Sequence, residues 1–305
     1  MRTKEILYFI LEQLWDEETD SPPESTLSTR IVGYFNDPRD PGWDKVDMTG
    51  IHRMKAGLAQ LPKEQFVGVS LNNHVYAWGS GDAGLETSLA GGHAATGKDI
   101  GMRGGISKLR TIGGSLWLAS SGRTVGQRRA GSDWHWHDPI PYKSLMDDGG
   151  FHDIDGFSES GIYAAGGHGD VWHFDGSAWQ QIAFPSQMTL ETLGCGGDGN
   201  VYIGAESGTV FKGRVNQWKI IHRGEMTLPF RDMVWHQDQL WCSSDDGIWT
   251  IKDEVLSKAD VSASVRVCAG NLSVGDGALL VAGHYGAALH DGARWHRLID
   301  YRDLD

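Results

Sequence analysis

A short phrase recurs along this chain at a nearly constant step. It consists of a β-branched residue or Leu, an aromatic residue, and then small residues. Its forms are Val75-Tyr76-Ala77-Trp78-Gly79, Leu116-Trp117-Leu118-Ala119, Ile162-Tyr163-Ala164-Ala165, Val201-Tyr202-Ile203-Gly204 and Leu240-Trp241-Cys242-Ser243, with a weaker Leu279-Leu280-Val281-Ala282-Gly283. From Tyr76 through Trp117, Tyr163, Tyr202 and Trp241 to Leu280 the steps are 41, 46, 39, 39 and 39 residues. A closing tryptophan keeps the same beat, with Trp179 to Trp218 at 39 and Trp218 to Trp295 at 77. A period of about 40 residues marks a repeat architecture in which each copy is too small to bury its own apolar surface and must pack on its neighbours.

The clearest copy is 151–182, FHDIDGFSESGIYAAGGHGDVWHFDGSAWQQI. It reads as four short strands separated by turns at Gly156–Gly161, Gly166–Asp170 and Asp175-Gly176-Ser177, with Trp179 opening the last strand. Ile162–Ala165 is small, apolar and β-prone, as suits a strand covered on both faces. Four strands per 40-residue step predict an all-β fold, a β-propeller of four-stranded blades. Six copies are complete. A seventh is expected from Arg30–Phe35 and Trp43–Val46, because Tyr34 precedes Tyr76 by 42 residues; without that region the count is six. The WD40 signature Gly-His…Trp-Asp is not present.

Ile6, Leu7, Ile10, Leu11 and Leu14 fall at helical spacing, so 1–20 is expected to form a short amphipathic N-terminal helix. Ser21–Ser25 then reads as a linker, and 21–305 as a single propeller domain. Glu5 and Glu12 interrupt the N-terminal apolar run and Asp16-Glu17-Glu18 follows it, which does not fit a secretory signal. No stretch reaches membrane-spanning length. The reading is a cytoplasmic protein.

Glycine accounts for 42 of 305 residues, about twice the usual share, and sits at the turns. The net charge of −13 argues against direct nucleic-acid binding, which needs a basic surface, and suits a basic partner. Cys195, Cys242 and Cys268 read as free thiols inside strands, with no CxxC spacing for zinc.

In a propeller the loops at the rims carry function. The loops after the recurring phrase hold Asp82, Arg123, His168, Asp170, Glu206, Asp245, Asp246, His284 and Tyr285, which are expected to share one rim of negative bias. Asp and Gly also build turns without any further role; their accumulation on one rim favours docking. His135 and His137, in Trp134-His135-Trp136-His137-Asp138, share one side of a strand and could hold a metal, but no third ligand is identifiable, and an outer strand with solvent-facing histidines explains them better. Ser243–Trp249 approaches the Asp-box of sialidase-type propellers, a structural turn. The adjacent carboxylates Asp147-Asp148, Asp245-Asp246 and Asp253-Glu254 sit on turns, where solvation accounts for them. Nucleophile-elbow and phosphate-loop patterns are absent. No catalytic residue, metal or cofactor is expected, and the chain does not read as an enzyme.

The stretches IGGSLWLASSGRTVGQRRAGSDWHW, FHDIDGFSESGIYAAGGHGDVWHFDGSAW, PFRDMVWHQDQLWCSSDDGIW and LSVGDGALLVAGHYGAALHDGARW resemble uncharacterised bacterial β-propeller proteins found beside toxic effectors of type VI secretion systems. The likeness covers about 60–300 and brings no catalytic motif. It implies an immunity protein that binds and blocks a cognate toxin encoded next door, such as a cytoplasm-acting nuclease with a basic surface. The alternatives are a carbohydrate-binding propeller that uses exposed tryptophans and, behind it, a metal-dependent hydrolase or lyase.

Overall fold

A computed structural model describes residues 1–13, 22–36, 42–91, 101–130, 133–137, 140–141 and 150–303. The chain divides into two compact units: residues 4–147 with Arg2, and residues 148–305 with Met1 and Thr3. The described residues form seven antiparallel sheets in sequence, six of four strands and one of three. This is the blade inventory of a seven-bladed β-propeller, and the N-terminal region supplies the seventh sheet.

In the first unit, β1 (Ile6–Glu12), β2 (Ser28–Phe35) and β3 (Gly42–Thr49) make the three-stranded sheet. The next contains β4 (Lys55–Ala59), β5 (Gln65–Val69), β6 (Val75–Gly79) and β7 (Asp82–Glu86). The third contains β8 (Ile106–Ile112), β9 (Ser115–Ser120), β10 (Val125–Ala130) and β11 (Asp133–Trp136).

Among the described residues of the expected N-terminal helix, 1–13, no helix is formed; β1 stands there, paired with β2 from Ile6↔Phe35 to Glu12↔Thr29. Leu7, Tyr8 and Phe9 are buried consecutively, so the run is covered on both faces, and such a strand satisfies helical spacing as readily as strand spacing. Tyr8 packs on Phe66 at 5.2 Å, Trp78 at 5.5 Å and Phe35 at 6.4 Å. This tertiary cover overrides helix propensity. Leu14, Asp138, Asp147-Asp148 and most of the loops expected at 36–42 and 91–97 lie outside the described residues.

The second unit holds four sheets: β12 (Asp153–Ser158), β13 (Gly161–Gly166), β14 (Asp170–Phe174) and β15 (Trp179–Gln181); β16 (Leu190–Cys195), β17 (Val201–Ala205), β18 (Val210–Arg214) and β19 (Gln217–His222); β20 (Asp232–His236), β21 (Gln239–Ser244), β22 (Gly247–Lys252) and β23 (Val255–Lys258); β24 (Gly270–Gly275), β25 (Ala278–Gly283), β26 (Gly286–His290) and β27 (Trp295–Asp300). Every residue of β13 is buried, as its composition requires. The one-turn helix α1 (Ala263–Arg266) lies between β23 and β24. All three cysteines are free thiols. Cys195 and Cys242 lie in strands as expected, whereas Cys268 falls between α1 and β24, where the turn of helix breaks the repeat.

Apolar clusters fill the space between neighbouring sheets of this unit. Tyr163, Val171, Leu193 and Phe211 belong to the first, Tyr202, Met233, Cys242 and Trp249 to the second, and Trp241, Ile248, Leu272 and Val281 to the third. Fully burying one such side chain stabilises by about 1.5–3 kcal/mol, which is why the copies pack rather than stand singly.

A polar device accompanies these cores. Asp153 Oδ2 accepts from Thr192 Oγ1 at 2.7 Å and Leu193 N at 3.1 Å in the next sheet, while Oδ1 accepts from Ile154 N at 2.8 Å. Asp232 repeats this, with Oδ1 on Met233 N at 3.0 Å and Oδ2 on Leu272 N at 2.9 Å. Both aspartates are 1 % exposed. A carboxylate that accepts buried backbone N–H groups makes strong, charge-assisted bonds. In the first unit a different joint links two sheets: Arg128 Nη2 meets Glu86 Oε1 at 2.5 Å and Gln65 Oε1 at 3.3 Å, with the arginine side chain 1 % exposed.

Candidate docking face

In an antiparallel four-stranded sheet, the turn between the second and third strands lies at the same end as the link to the next sheet. In the second unit the connecting loops are hydrogen-bonded at these ends, one bond crossing between sheets and three tying a loop to the sheet that it enters or leaves. Leu190 N donates to Gly167 O at 3.0 Å, Glu206 N to Thr189 O at 2.9 Å, Met226 N to Ser207 O at 3.0 Å and Arg231 N to Ser243 O at 2.8 Å. One continuous side therefore carries the turns at 167–169, 206–209, 245–246 and 284–285 together with the connecting loops 182–189, 223–231 and 259–269. It brings His168, Asp170, Glu206, Asp245, Asp246, His284 and Tyr285 to one end of their sheets.

Their roles differ. His168 and Glu206 are exposed. Asp170 is 2 % exposed; its Oδ1 accepts from Trp172 Nε1 at 3.0 Å and Gln181 Nε2 at 3.2 Å. That carboxylate ties its own sheet together and is not presented outward. Asp245 is exposed but held by Arg231, Nε to Oδ1 at 2.6 Å and Nη2 to Oδ2 at 2.6 Å, which balances its charge. Asp246 is exposed beside it, its backbone N donating to Ser244 Oγ at 3.1 Å, so within the Asp-box-like stretch Ser243–Trp249 these two residues make the turn between β21 and β22. His284 and Tyr285 are exposed, their rings 5.0 Å apart.

The other two positions belong to the first unit. Arg123 sits in the turn after β9, the second strand of its sheet, with φ 57°. It is 8 % exposed, its Nη1 donating to Pro141 O at 3.3 Å while its carbonyl accepts from Arg103 Nη2 at 2.9 Å. Asp82 is exposed but follows β6, the third strand of its sheet. It therefore lies at the end of its sheet that carries first and third turns. The phrase at Tyr76 is one strand out of phase, because β5, QFVGV, occupies the fully buried second position.

The connecting loops contribute residues that the turn pattern did not single out. Arg231 is one. A second group surrounds the last sheet: Arg266, Val267, Arg297, Tyr301 and Arg302. Val267, Tyr285 and Tyr301 are 45 %, 50 % and 50 % exposed. Tyr285 and Tyr301 rings lie 5.4 Å apart, and Arg297 Nη2 donates to Tyr285 O at 3.0 Å. Asp300 binds Arg297 at 3.1 Å and Arg302 at 2.6 Å; the hydrogen bonds from Arg302, side chain first and then backbone, hold its carboxyl far below the usual range. Gly247, at φ +143°, lets the stem of Arg266 lie against the turn, since a Cβ there would sit 3.3 Å from Arg266 Cγ. For Arg266 and Val267 the available signal was the departure of 259–269 from the repeat; Arg297, Tyr301 and Arg302 had none.

The catalytic candidates are placed as follows. His135 is exposed, whereas His137 is half-buried, 4.9 Å from the Trp117 ring and 4.7 Å from His135. Burial first, then the His135 and Arg129 charges, lower its pKa to about 4. Among the described residues no three His, Cys, Asp or Glu side chains are placed to hold one metal ion. Burial pushes the Cys242 thiol far up, with Asp232 adding to it, and burial also raises that of Cys268, which keeps both protonated at neutral pH. No helix among the described residues is long and apolar enough to cross a membrane.

No protein-family model matches the chain. In sequence it is similar to the immune protein Tsi7 of Pseudomonas aeruginosa, 28 % identical over 261 residues that make up 84 % of this chain and 80 % of that protein. In structure it is similar to YCF48 solved with a D1 peptide, with a TM-score of 0.55 and 15 % identity over 83 % of this chain and 87 % of the other. It is also similar to the computationally designed protein Ika8, with a TM-score of 0.51 and 12 % identity over 81 % and 88 %. These two likenesses speak for the fold alone. The resemblance read from the repeats is borne out: this chain is built from propeller blades and is similar in sequence to a bacterial immune protein.

Proposed function

We propose that this protein is an immunity protein, which binds a cognate toxin and neutralises it without chemistry of its own. The observation that carries the reading is the similarity to the immune protein Tsi7 along 84 % of the chain. The finer features are also proposals. The partner is encoded next door, acts in the cytoplasm, and is a nuclease effector of a type VI secretion system with a basic surface. The net charge of −13 supports a basic partner, because opposite charge speeds encounter. The exposed carboxylates Glu206 and Asp246 belong to the contact face on this reading, with His168 and His284 beside them.

The carbohydrate reading needs tryptophan faces open to solvent at equivalent blade positions. The closing tryptophans Trp179, Trp218 and Trp295 are half-buried, with rings packed 5.4 Å from Phe174, 5.1 Å from Phe184 and 5.9 Å from Trp241, which favours packing over an open stacking face.

The test is co-expression of the chain with the product of the adjacent gene. Cells are rescued and the two proteins co-purify in a fixed ratio if the reading holds. Death of the cells despite soluble expression, with no complex on a sizing column, refutes it. Charge reversal at Asp245 and Asp246 slows association several-fold, and raised salt has the same effect on the unaltered pair.

A further inference from the structure

The sheet β1-β2-β3 has three strands among the described residues, where each of the other six has four. Its β1 edge is covered, with Leu7, Tyr8 and Phe9 buried; its β3 edge is open, with most of the strand exposed. The outer strands of the other six sheets run three to six residues. The two longest, β19 and β27, meet their neighbours with a shift of register. Shortness and bulges are means by which an edge is kept from pairing with another chain. β3 has neither. It runs eight residues, GWDKVDMT, without proline, in unbroken register with β2 from Gly42↔Phe35 to Thr49↔Ser28.

The hydrogen bonds show which main-chain groups of β3 turn outward. Gly50 N donates to Leu27 O at 2.8 Å, one step beyond the Thr49↔Ser28 pair. Ladder bonds recur at every second residue of an antiparallel strand. The even-numbered residues of β3 therefore bond to β2, and Trp43, Lys45, Asp47 and Thr49 present N–H and C=O on the open side. Lys45 N accordingly donates to Asp44 Oδ1 at 2.8 Å. Ile154 and Met233, on the edge strands β12 and β20, take the aspartate before them in the same way. Trp43, Lys45, Asp47 and Thr49 are all exposed.

We infer that this edge pairs with the same edge of a second copy of the chain, antiparallel about a two-fold axis at Val46. The side chains select that occupant. With the axis at Val46 every outward residue of β3 faces an outward residue of the second copy: Trp43 meets Thr49, and Lys45 meets Asp47, each twice. Residues placed opposite each other in this way have Cβ atoms about 4.5–5.5 Å apart, and opposite charges there attract. An axis at Lys45 or at Asp47 sets like charges face to face, and no other axis on the strand brings Lys45 to Asp47. Arg30 Nε and Nη2 hold the two oxygens of Asp47 at 2.6 Å and 3.0 Å; a carboxylate has about four lone-pair sites, so an ammonium can be added. Arg30 and Lys45 balance Asp44 and Asp47, so the net charge of −13 is carried elsewhere and two copies meet on a neutral strip. The contact is isologous, the kind from which two-fold dimers are built.

The experiment is sedimentation equilibrium of the purified full chain by itself, from about 1 to 200 µM, because an edge-to-edge contact is small. The mass rises with concentration from one chain to two. Lys45→Glu or Asp47→Lys raises the dissociation constant by about tenfold or more. An equimolar mixture of these two variants regains the affinity, since both facing pairs are again of opposite charge. Lys45→Pro removes an outward N–H and abolishes the pairing; an edge strand accepts proline where its N–H faces away from the sheet. Unfolding curves check that each variant folds. If Asp47→Lys does not, because Arg30 has lost its carboxylate, Lys45→Glu and Lys45→Pro carry the test. A single-chain mass over the whole range, or a dimer that survives Lys45→Pro, overturns the proposal, and a mixture that fails to regain affinity overturns the axis at Val46. A chain that stays single while Lys45→Pro weakens its binding to the product of the adjacent gene gives the edge to that partner instead. The immunity reading stands or falls separately.

Discussion

In residues 148–305 neighbouring sheets are clasped by carboxylates that take backbone N–H groups of the next first strand, at Asp153 and again at Asp232. In residues 4–147 one joint uses instead the buried ion pair of Arg128 and Glu86, and another the aromatic group of Tyr8, Phe66 and Trp78. A carboxylate-to-backbone clasp is indifferent to the side chains it meets. Each copy can therefore carry it, provided that strand lengths are kept. An ion pair needs two particular residues on two particular strands, and a joint built that way is free to leave the common spacing. The lesson is that neighbouring sheets can be joined by a carboxylate held by main-chain groups or by a matched pair of side chains, and that the two kinds of joint respond differently to substitution.

The sharpest way to break the comparison is at the ion pair. Arg128→Met leaves Glu86, with a side chain 16 % exposed, without its counter-charge, and costs about 3–5 kcal/mol in denaturant unfolding. Adding Glu86→Leu restores most of that loss, because an apolar pair of similar volume replaces the ionic one. If the double variant is as unstable as the single, the joint works by something other than charge compensation.

The clasp is expected to matter less per site. Asp153→Ala strands the Leu193 N–H and the Thr192 hydroxyl in a buried place and costs about 1–3 kcal/mol. Asp232→Ala behaves alike, since the same geometry recurs. Unequal losses at the two positions, by more than a factor of two, would show that the copies are not equivalent.

A pH series separates the regions further. The neutral form of His137 is favoured on folding, so its contribution is complete above pH 6.5 and is lost as pH falls from there towards about 4. The unaltered chain loses unfolding temperature over that window relative to His137→Gln, whose difference from it shrinks as the pH drops. A constant difference across the window would count against the packing of this ring on Trp117. The smallest effect is Tyr163→Phe. It removes the 3.3 Å hydrogen bond from Val215 N to the Tyr163 hydroxyl and costs about 0.5–1.5 kcal/mol.

Much of this was legible in the amino-acid sequence. The turns in 151–182 and the buried second strand Gly161–Gly166 follow from glycine placement and composition, which report local geometry directly. The misplaced features have a common cause. A phrase of small and aromatic residues reports cover on both faces, not the order of a strand in its sheet. Val75–Gly79 therefore passed for a second strand, although Phe66–Val69 holds that place. The apolar run at Ile6–Leu11 likewise matched a helix because a doubly covered strand has no alternation to betray it. For the candidate face, the turn residues of the second unit share one end of their sheets as expected, but their types did not give the orientation of each side chain. Asp170 and Trp172 are two apart in a strand and so share a face, and that spacing was the available clue that the indole takes the carboxylate. The group around Tyr301 belongs to no repeated position, so periodicity had no means of pointing to it.

The clasp also bears on how such a chain can change in length. Asp153 reaches Leu193 and Asp232 reaches Leu272 across the same 40 residues. Excising or duplicating one whole copy leaves every such acid opposite an amide that it can hold, while a half-copy would point it at the wrong strand. Gain or loss of whole copies is thereby expected to be tolerated better than gain or loss of part of one, with the forward-reaching aspartate as the gauge.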